Sequence, residues 1–174
     1  MKDGEEPGVD ELVGWPKSHF AGDKRRYPDF DAATFKALLA LRGTAQRVEN
    51  RQGTWFLEDG LTPQKFGVLI VLAAKAEPIS LSDVRKYLGT TQANVTGLVA
   101  GLEATGLIER KASVADRRVS FVSLSRAGRR LVDARLPAYF ARNRAALRGL
   151  SQAEKKTFVE LLAKVARGFE ALER

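Results

Sequence analysis

The chain contains no cysteine and a single histidine, His19. The first absence removes disulfides, thiolate metal sites and cysteine nucleophiles together. The second leaves no imidazole cluster for a metal ion, and only one base, in a weakly patterned stretch, for a histidine-dependent triad. Neither a Gly-x-Ser-x-Gly elbow nor a phosphate-binding glycine loop occurs. An enzyme is therefore not expected, nor is a metal or other cofactor. Apolar runs are short as well, and none approaches the ~20 residues that cross a bilayer. The acidic N-terminus lacks the apolar segment of a secretory signal. These features predict no membrane association and a cytoplasmic location.

What the chain does have is positive charge, unevenly placed. Its 174 residues carry 29 Lys and Arg against 21 Asp and Glu, a net charge of +8. The first thirteen residues hold Lys2 against Asp3, Glu5, Glu6, Asp10 and Glu11, so the remainder is 28 basic against 16 acidic, a net +12. A basic body favours a polyanionic partner such as double-stranded DNA. An ordinary soluble basic protein has the same composition. The length suits one domain with flanking elements.

Residues 1–29 are punctuated by Gly4, Pro7, Gly8, Gly14, Pro16, Gly22 and Pro28, and read as an arm. From Asp31, a plausible N-cap, Phe35, Leu38, Leu39, Ala45 and Val48 keep helical spacing to about Phe56. Thr62-Pro63 starts the next helix, with Phe66, Leu69, Ile70 and Ala73 on one face. Ser80 with Asp83 opens a short helix that Gly89 stops. Thr91 caps a further helix to about Thr105, closed by Gly106. Leu107–Lys111 and Arg118–Leu124 read as strands joined by a polar loop. Ser125 opens a long arginine-rich helix in which Pro137 is expected to produce a kink. Ser151 and Glu154 form a capping box for the last helix, where Phe158, Leu161, Leu162, Val165, Phe169 and Leu172 recur at steps of three and four. One long apolar stripe on a terminal helix needs a partner surface. The helices flanking the central module are expected to pack together in a homodimer, the alternative being a monomer that buries them on its own core.

In the helix that begins after Thr91, Val95, Leu98, Val99 and Leu102 fall in one apolar sector. The opposite side presents Ala93, Thr96, Gly97 and Ala100, flanked by Asn94 and Gly101. Small residues there allow a close approach to DNA bases, or equally to another helix. For DNA, Ala93 or the Thr96 methyl would meet a thymine methyl, and Gln92 or Asn94 would pair with adenine. Thr91 and the first-turn N–H groups suit a phosphate. The loop between the strands carries Asp116-Arg117-Arg118, preceded by Arg110 and Lys111. Two adjacent arginines on a hairpin tip suit a narrow minor groove, with Asp116 holding Arg118 and leaving Arg117 outward. A solvated turn of mixed charge is the plainer alternative.

These residues resemble the MarR family of winged helix-turn-helix regulators. The matching text is Leu61-Thr-Pro-Gln-Lys-Phe-Gly-Val-Leu, Asn94-Val-Thr-Gly-Leu-Val, Leu102-Glu-Ala-Thr-Gly-Leu-Ile-Glu-Arg110, the hairpin Asp116-Arg-Arg118, and Val122-Ser-Leu-Ser-Arg-Ala-Gly128. The resemblance implies a mainly α fold with a small β-hairpin. Residues 1–29 would be an N-terminal arm, 30–60 a dimerisation helix, 61–124 the winged helix-turn-helix DNA-binding domain and 125–174 C-terminal dimerisation helices. It further implies a homodimer on a palindromic operator, usually a repressor, released by a small phenolic or aromatic acid. The helix from Thr91 would be the recognition helix, and Arg117 and Arg118 would belong to the wing. Gly97 stands where many relatives carry an arginine, and Ala93 or Asn94 where many have proline, so the operator sequence is expected to differ. An architectural DNA binder without effector control is the alternative. The arm offers Trp15, His19, Arg25, Arg26 and Tyr27, ring surfaces and cations suited to an aromatic carboxylate, to which Trp55 and Phe66 would add apolar wall.

Overall fold

The computed structural model describes residues 25–112 and 120–172. Among these lie six α-helices, one 3-10 turn and three short strands. The chain divides into two compact units, Met1–Val68 and Leu69–Arg174.

In the first unit, helix α1 spans Ala32–Gly53. Asp31 caps it: the Thr34 N–H donates to Asp31 Oδ2 at 2.7 Å, and hydrogen bonds from Thr34, its side chain first and then this N–H, hold the Asp31 carboxyl below its ordinary pKa. Phe30 and Phe35, either side of the cap, bring their rings to 5.8 Å, the staple that fixes a helix entry. None of the helix's residues is buried within this single chain. The helix stops at Gly53, three residues before the expected end, because Phe56 leaves the helical path to join the core. It is 3% exposed and stacks on Phe66 with ring centroids 4.1 Å apart. A 3-10 turn over Leu57–Asp59 ends on Gly60 at φ 64°, and Leu61 turns back to bond the Phe56 carbonyl at 3.2 Å. Helix α2, Pro63–Ala73, starts where Thr62 accepts the Lys65 N–H at 3.2 Å. The division between the units falls inside α2.

In the second unit, helix α3 (Leu81–Leu88) and helix α4 (Gln92–Ala104) are joined through Gly89, whose φ of 61° suits the left-handed turn that closes α3. Ser80 caps α3 by accepting the Asp83 N–H at 3.1 Å, while its hydroxyl donates to the Asp83 carboxylate at 2.7 Å. Strands β1 (Ile79–Ser80), β2 (Ile108–Ala112) and β3 (Ser120–Leu124) form an antiparallel sheet in the order β1-β3-β2. Ile79 and Arg110 both register with Val122, from opposite sides. The expected hairpin is therefore present with shifted bounds, and β1 is an addition. Leu69, Leu72, Val84, Val95, Val99, Leu102, Ile108, Val122 and Val132 make the core of this unit, each 4% exposed or less.

Helix α5 (Arg126–Ala146) begins against the sheet, and its start is unusually tight. A Cβ on Gly128 would run into the Leu107 carbonyl oxygen and lie 3.0 Å from the carbonyl carbon. Ser125 ties the same corner, donating its N–H to Leu107 O at 3.1 Å and its hydroxyl to Gly106 O at 2.6 Å. The helix continues through Pro137 without interruption. Helix α6 (Gln152–Leu172) opens on a reciprocal capping box: Ser151 N–H to Glu154 Oε2 at 2.8 Å, Glu154 N–H to Ser151 Oγ at 3.3 Å. None of its residues is buried. No helix among the described residues is long and apolar enough to cross a membrane.

Candidate nucleic-acid interface

Helix α4 is amphipathic in the expected sense. Val95, Val99 and Leu102 are fully buried, and Leu98, expected beside them, is half-buried at the sector's edge. Thr91, Gln92, Ala93, Asn94, Thr96, Gly97 and Ala100 are exposed. Nothing lies within 4 Å of the point where Gly97 would carry a Cβ. The outer face is thus open to a partner rather than packed on a neighbouring helix of the described chain.

Its polar groups are partly committed. Thr91 caps the helix by accepting the Asn94 N–H at 3.3 Å. Thr96 donates its hydroxyl back to the Gln92 carbonyl at 2.9 Å, so its methyl rather than its proton is available to a partner. The Asn94 amide Nδ2 donates to Thr90 Oγ1 at 2.9 Å. Among the described residues, the Gln92 side chain, one turn from Thr96, makes no hydrogen bond.

On β2, Arg110 and Lys111 are both exposed. Arg110 registers with Val122, and its Nη2 donates at 3.1 Å to Ser120, on the same face of β3. Arg110 is thereby drawn along the sheet towards the hairpin tip. The tip residues Asp116, Arg117 and Arg118 lie outside the described residues, as do Trp15 and His19 of the arm.

Thr90 and Ser120 were not singled out by the sequence. The signal for Thr90 is its spacing of four from Asn94, which places the two on one side of the chain. Ser120 becomes visible only once the strand register is known.

The remaining candidates for an effector site fall in two places in the first unit. Arg26 and Tyr27 line a cavity of about 450 Å³ with Pro28, Asp29, Phe30 and Phe35, and the Arg26 guanidinium sits 5.5 Å over the Tyr27 ring. Arg25 is exposed beside them. Trp55 and Phe66 do not line that cavity. Trp55 meets Phe56 edge-on at 6.5 Å, and Phe66, 1% exposed, is a core residue stacked on the same ring. Aromatic bulk at a helical core position looks the same in sequence whether it faces a ligand or another ring.

A model of the MarR family matches residues 59–119. The chain is 29% identical over 154 residues to the HTH-type transcriptional repressor YetL of Bacillus subtilis, covering 87% of this chain and 92% of YetL. It is 31% identical over 129 residues to the transcriptional activatory protein BadR of Rhodopseudomonas palustris, covering 67% and 74% of the two. Among solved structures, BpsR of Bordetella bronchiseptica, whose DNA binding is regulated by 6-hydroxynicotinic acid, matches with a TM-score of 0.58 at 31% identity. The match covers 72% of this chain and 98% of BpsR.

Proposed function

The chain belongs to the MarR family of DNA-binding transcriptional regulators, and on that premise we propose that it acts as a homodimer on a palindromic operator, repressing transcription until an aromatic acid releases it. The carrying observation is the outward face of α4. Amide, threonine and alanine side chains and the bare backbone of Gly97 stand exposed there, opposite the buried Val95, Val99 and Leu102. A helix that shows no bulk outward can lie deep in the major groove, with Gln92 and Asn94 reading adenine edges and Ala93 or Thr96 meeting thymine methyls. Thr91 and the first-turn amides of α4 contact a phosphate. Arg110, Lys111, Arg117 and Arg118 hold the hairpin in the adjacent minor groove or on its phosphates.

Dimerisation is supported by α6. Phe158, Val159, Leu161, Val165, Phe169 and Leu172 range from 38% to 81% exposed in the single chain. An apolar surface of that length is the mark of an association face. In this reading residues 61–124 bind DNA, and 30–60 with 125–174 hold the dimer. YetL, matched over most of both lengths, supports repression as the direction of control. BpsR, with its pyridine carboxylic acid, supports an aromatic acid as the releasing ligand. The Arg26–Tyr27 cavity, with Arg25 beside it, offers cations and ring faces of the right chemistry.

Footprinting on the DNA flanking the chain's own gene, repeated with a panel of aromatic acids, tests the proposal. The expected result is a two-fold symmetric protected site with half-sites about 10 base pairs apart, or a multiple of that, lost on adding one of the acids. Uniform protection without a symmetric site would instead mark an architectural binder.

A further inference from the structure

Granted that α4 enters the major groove as proposed above, we infer that Thr90, which lies outside that helix, is the positioning residue that makes Asn94 the sharper of the two amide readers. Two carboxamides face outward on the first turn of α4, and they differ in one respect. Gln92 turns on its own torsions with no side-chain hydrogen bond among the described residues, whereas Asn94 Nδ2 donates to Thr90 Oγ1 at 2.9 Å.

The anchor is itself fixed. Thr90 is half-buried between Gly89, whose N–H closes α3 on the Arg85 carbonyl at 3.0 Å, and Thr91, whose hydroxyl caps α4 through the Asn94 N–H. Its backbone is therefore set by the ends of two helices. Asparagine carries two amide hydrogens and an acceptor oxygen. Thr90 takes one hydrogen and leaves one donor and one acceptor in a plane already set. That is the pair the adenine N7 and N6 edge requires. The rotamer ordering that Gln92 must undergo on binding is done in advance for Asn94. The consequence is a division of labour: Gln92 adapts to the base it meets, and Asn94 selects.

The test uses the full-length protein and selection from a randomised double-stranded DNA pool, followed by competition binding on the selected sequence and its single base-pair variants. Thr90→Val removes the acceptor while keeping the shape, Thr90→Ser keeps the acceptor, and Asn94→Ala removes the reader. Thr90→Val is expected to flatten preference about three- to ten-fold at one position of each half-site. That position should be the one Asn94→Ala flattens, and Thr90→Ser should restore it. Thr90→Ala gives a second variant lacking the acceptor, and thermal melts establish that each variant is folded. An equal loss on every sequence would make Thr90 a phosphate contact and overturn the inference. So would a Thr90→Val protein that keeps its preference where Asn94→Ala loses it. A wild-type protein that selects no sequence would overturn the operator reading together with the inference.

Discussion

Replacing Gly128 by alanine adds one methyl group at the corner where α5 meets the hairpin. That methyl would strike the Leu107 carbonyl oxygen and stand 3.0 Å from the carbonyl carbon. Carbon atoms pack at about 3.5–4.0 Å, so with the oxygen closer still the two backbones must part by roughly 1 Å. Overpacking costs about 1–3 kcal/mol, and here the obstacle is backbone, which cannot swing aside like a side chain. Parting the two also stretches the bond from Ser125 N–H to Leu107 O, now 3.1 Å, worth about 1 kcal/mol. Alanine regains up to about 1 kcal/mol of helix propensity. The net loss is about 2 kcal/mol, or a fall in Tm of about 4–8 °C for a chain of this size. The assay is urea or thermal unfolding beside Gly97→Ala, the same chemical change at a helical position with nothing within 4 Å of the added carbon. Gly128→Ala should melt lower and Gly97→Ala no lower than wild type. A Gly128→Ala protein as stable as the Gly97 control would refute the reasoning.

Gly97→Ala should also separate stability from binding. It is expected to gain about 0.5–1 kcal/mol in the free protein and to weaken DNA binding on a gel-shift titration, because in the proposed docking the methyl would occupy the closest approach to the bases. Charged residues at both Leu161 and Leu162 should yield a monomer by light scattering and abolish palindrome binding, and a variant that stays dimeric would exclude α6 from the interface. Glu154 should govern part of the acid response. The hydrogen bonds from Ser151 hold its carboxyl below the ordinary value of 4.5, so its contribution is complete above that value and disappears as pH falls through the lowered one. Glu154→Gln should therefore be less stable than wild type at pH 7, with the gap closing in urea titrations as pH falls below the ordinary carboxyl range. A gap that persists in acid would assign the effect to something other than the carboxylate charge.

The helix starts were legible in the sequence because capping is a local bargain between neighbouring residues. Asp31, Ser80, Thr91, Ser125 and Ser151 each receive the N–H three residues on, or sit in a reciprocal pair doing so. The buried face of α4 was legible for the same reason: its spacing is its own. What escaped was set by distant segments. Strand β1 is two residues long and exists only by pairing with Val122 and Phe121. The end of α1 depends on Phe56 finding Phe66. Gly128 stands in the sequence as one more glycine, and the reason for it is a carbonyl 21 positions earlier. The link between Thr90 and Asn94 lies between these cases, local in spacing and invisible until the turn after Gly89 is drawn.

From Thr91 to Thr105 the chain has no lysine or arginine. Each cation that neutralises a phosphate releases counterions and steepens the fall of affinity with salt by about 0.9 in the logarithmic slope. In the proposed docking, helix α4 adds no cation to that slope, and the cations of the hairpin and its surroundings would supply it. Ionic strength and operator sequence then act on different parts of the molecule. Substitutions along the outer face of α4 can move the protein to a new operator while its electrostatic capture by DNA, and the speed of that capture, stay as they were. On the same reading, loss of a hairpin cation would weaken the hold on every site alike, so the regulator would keep its target and lose occupancy. A lineage carrying this cation-free helix can change what it reads without first relearning how to hold on.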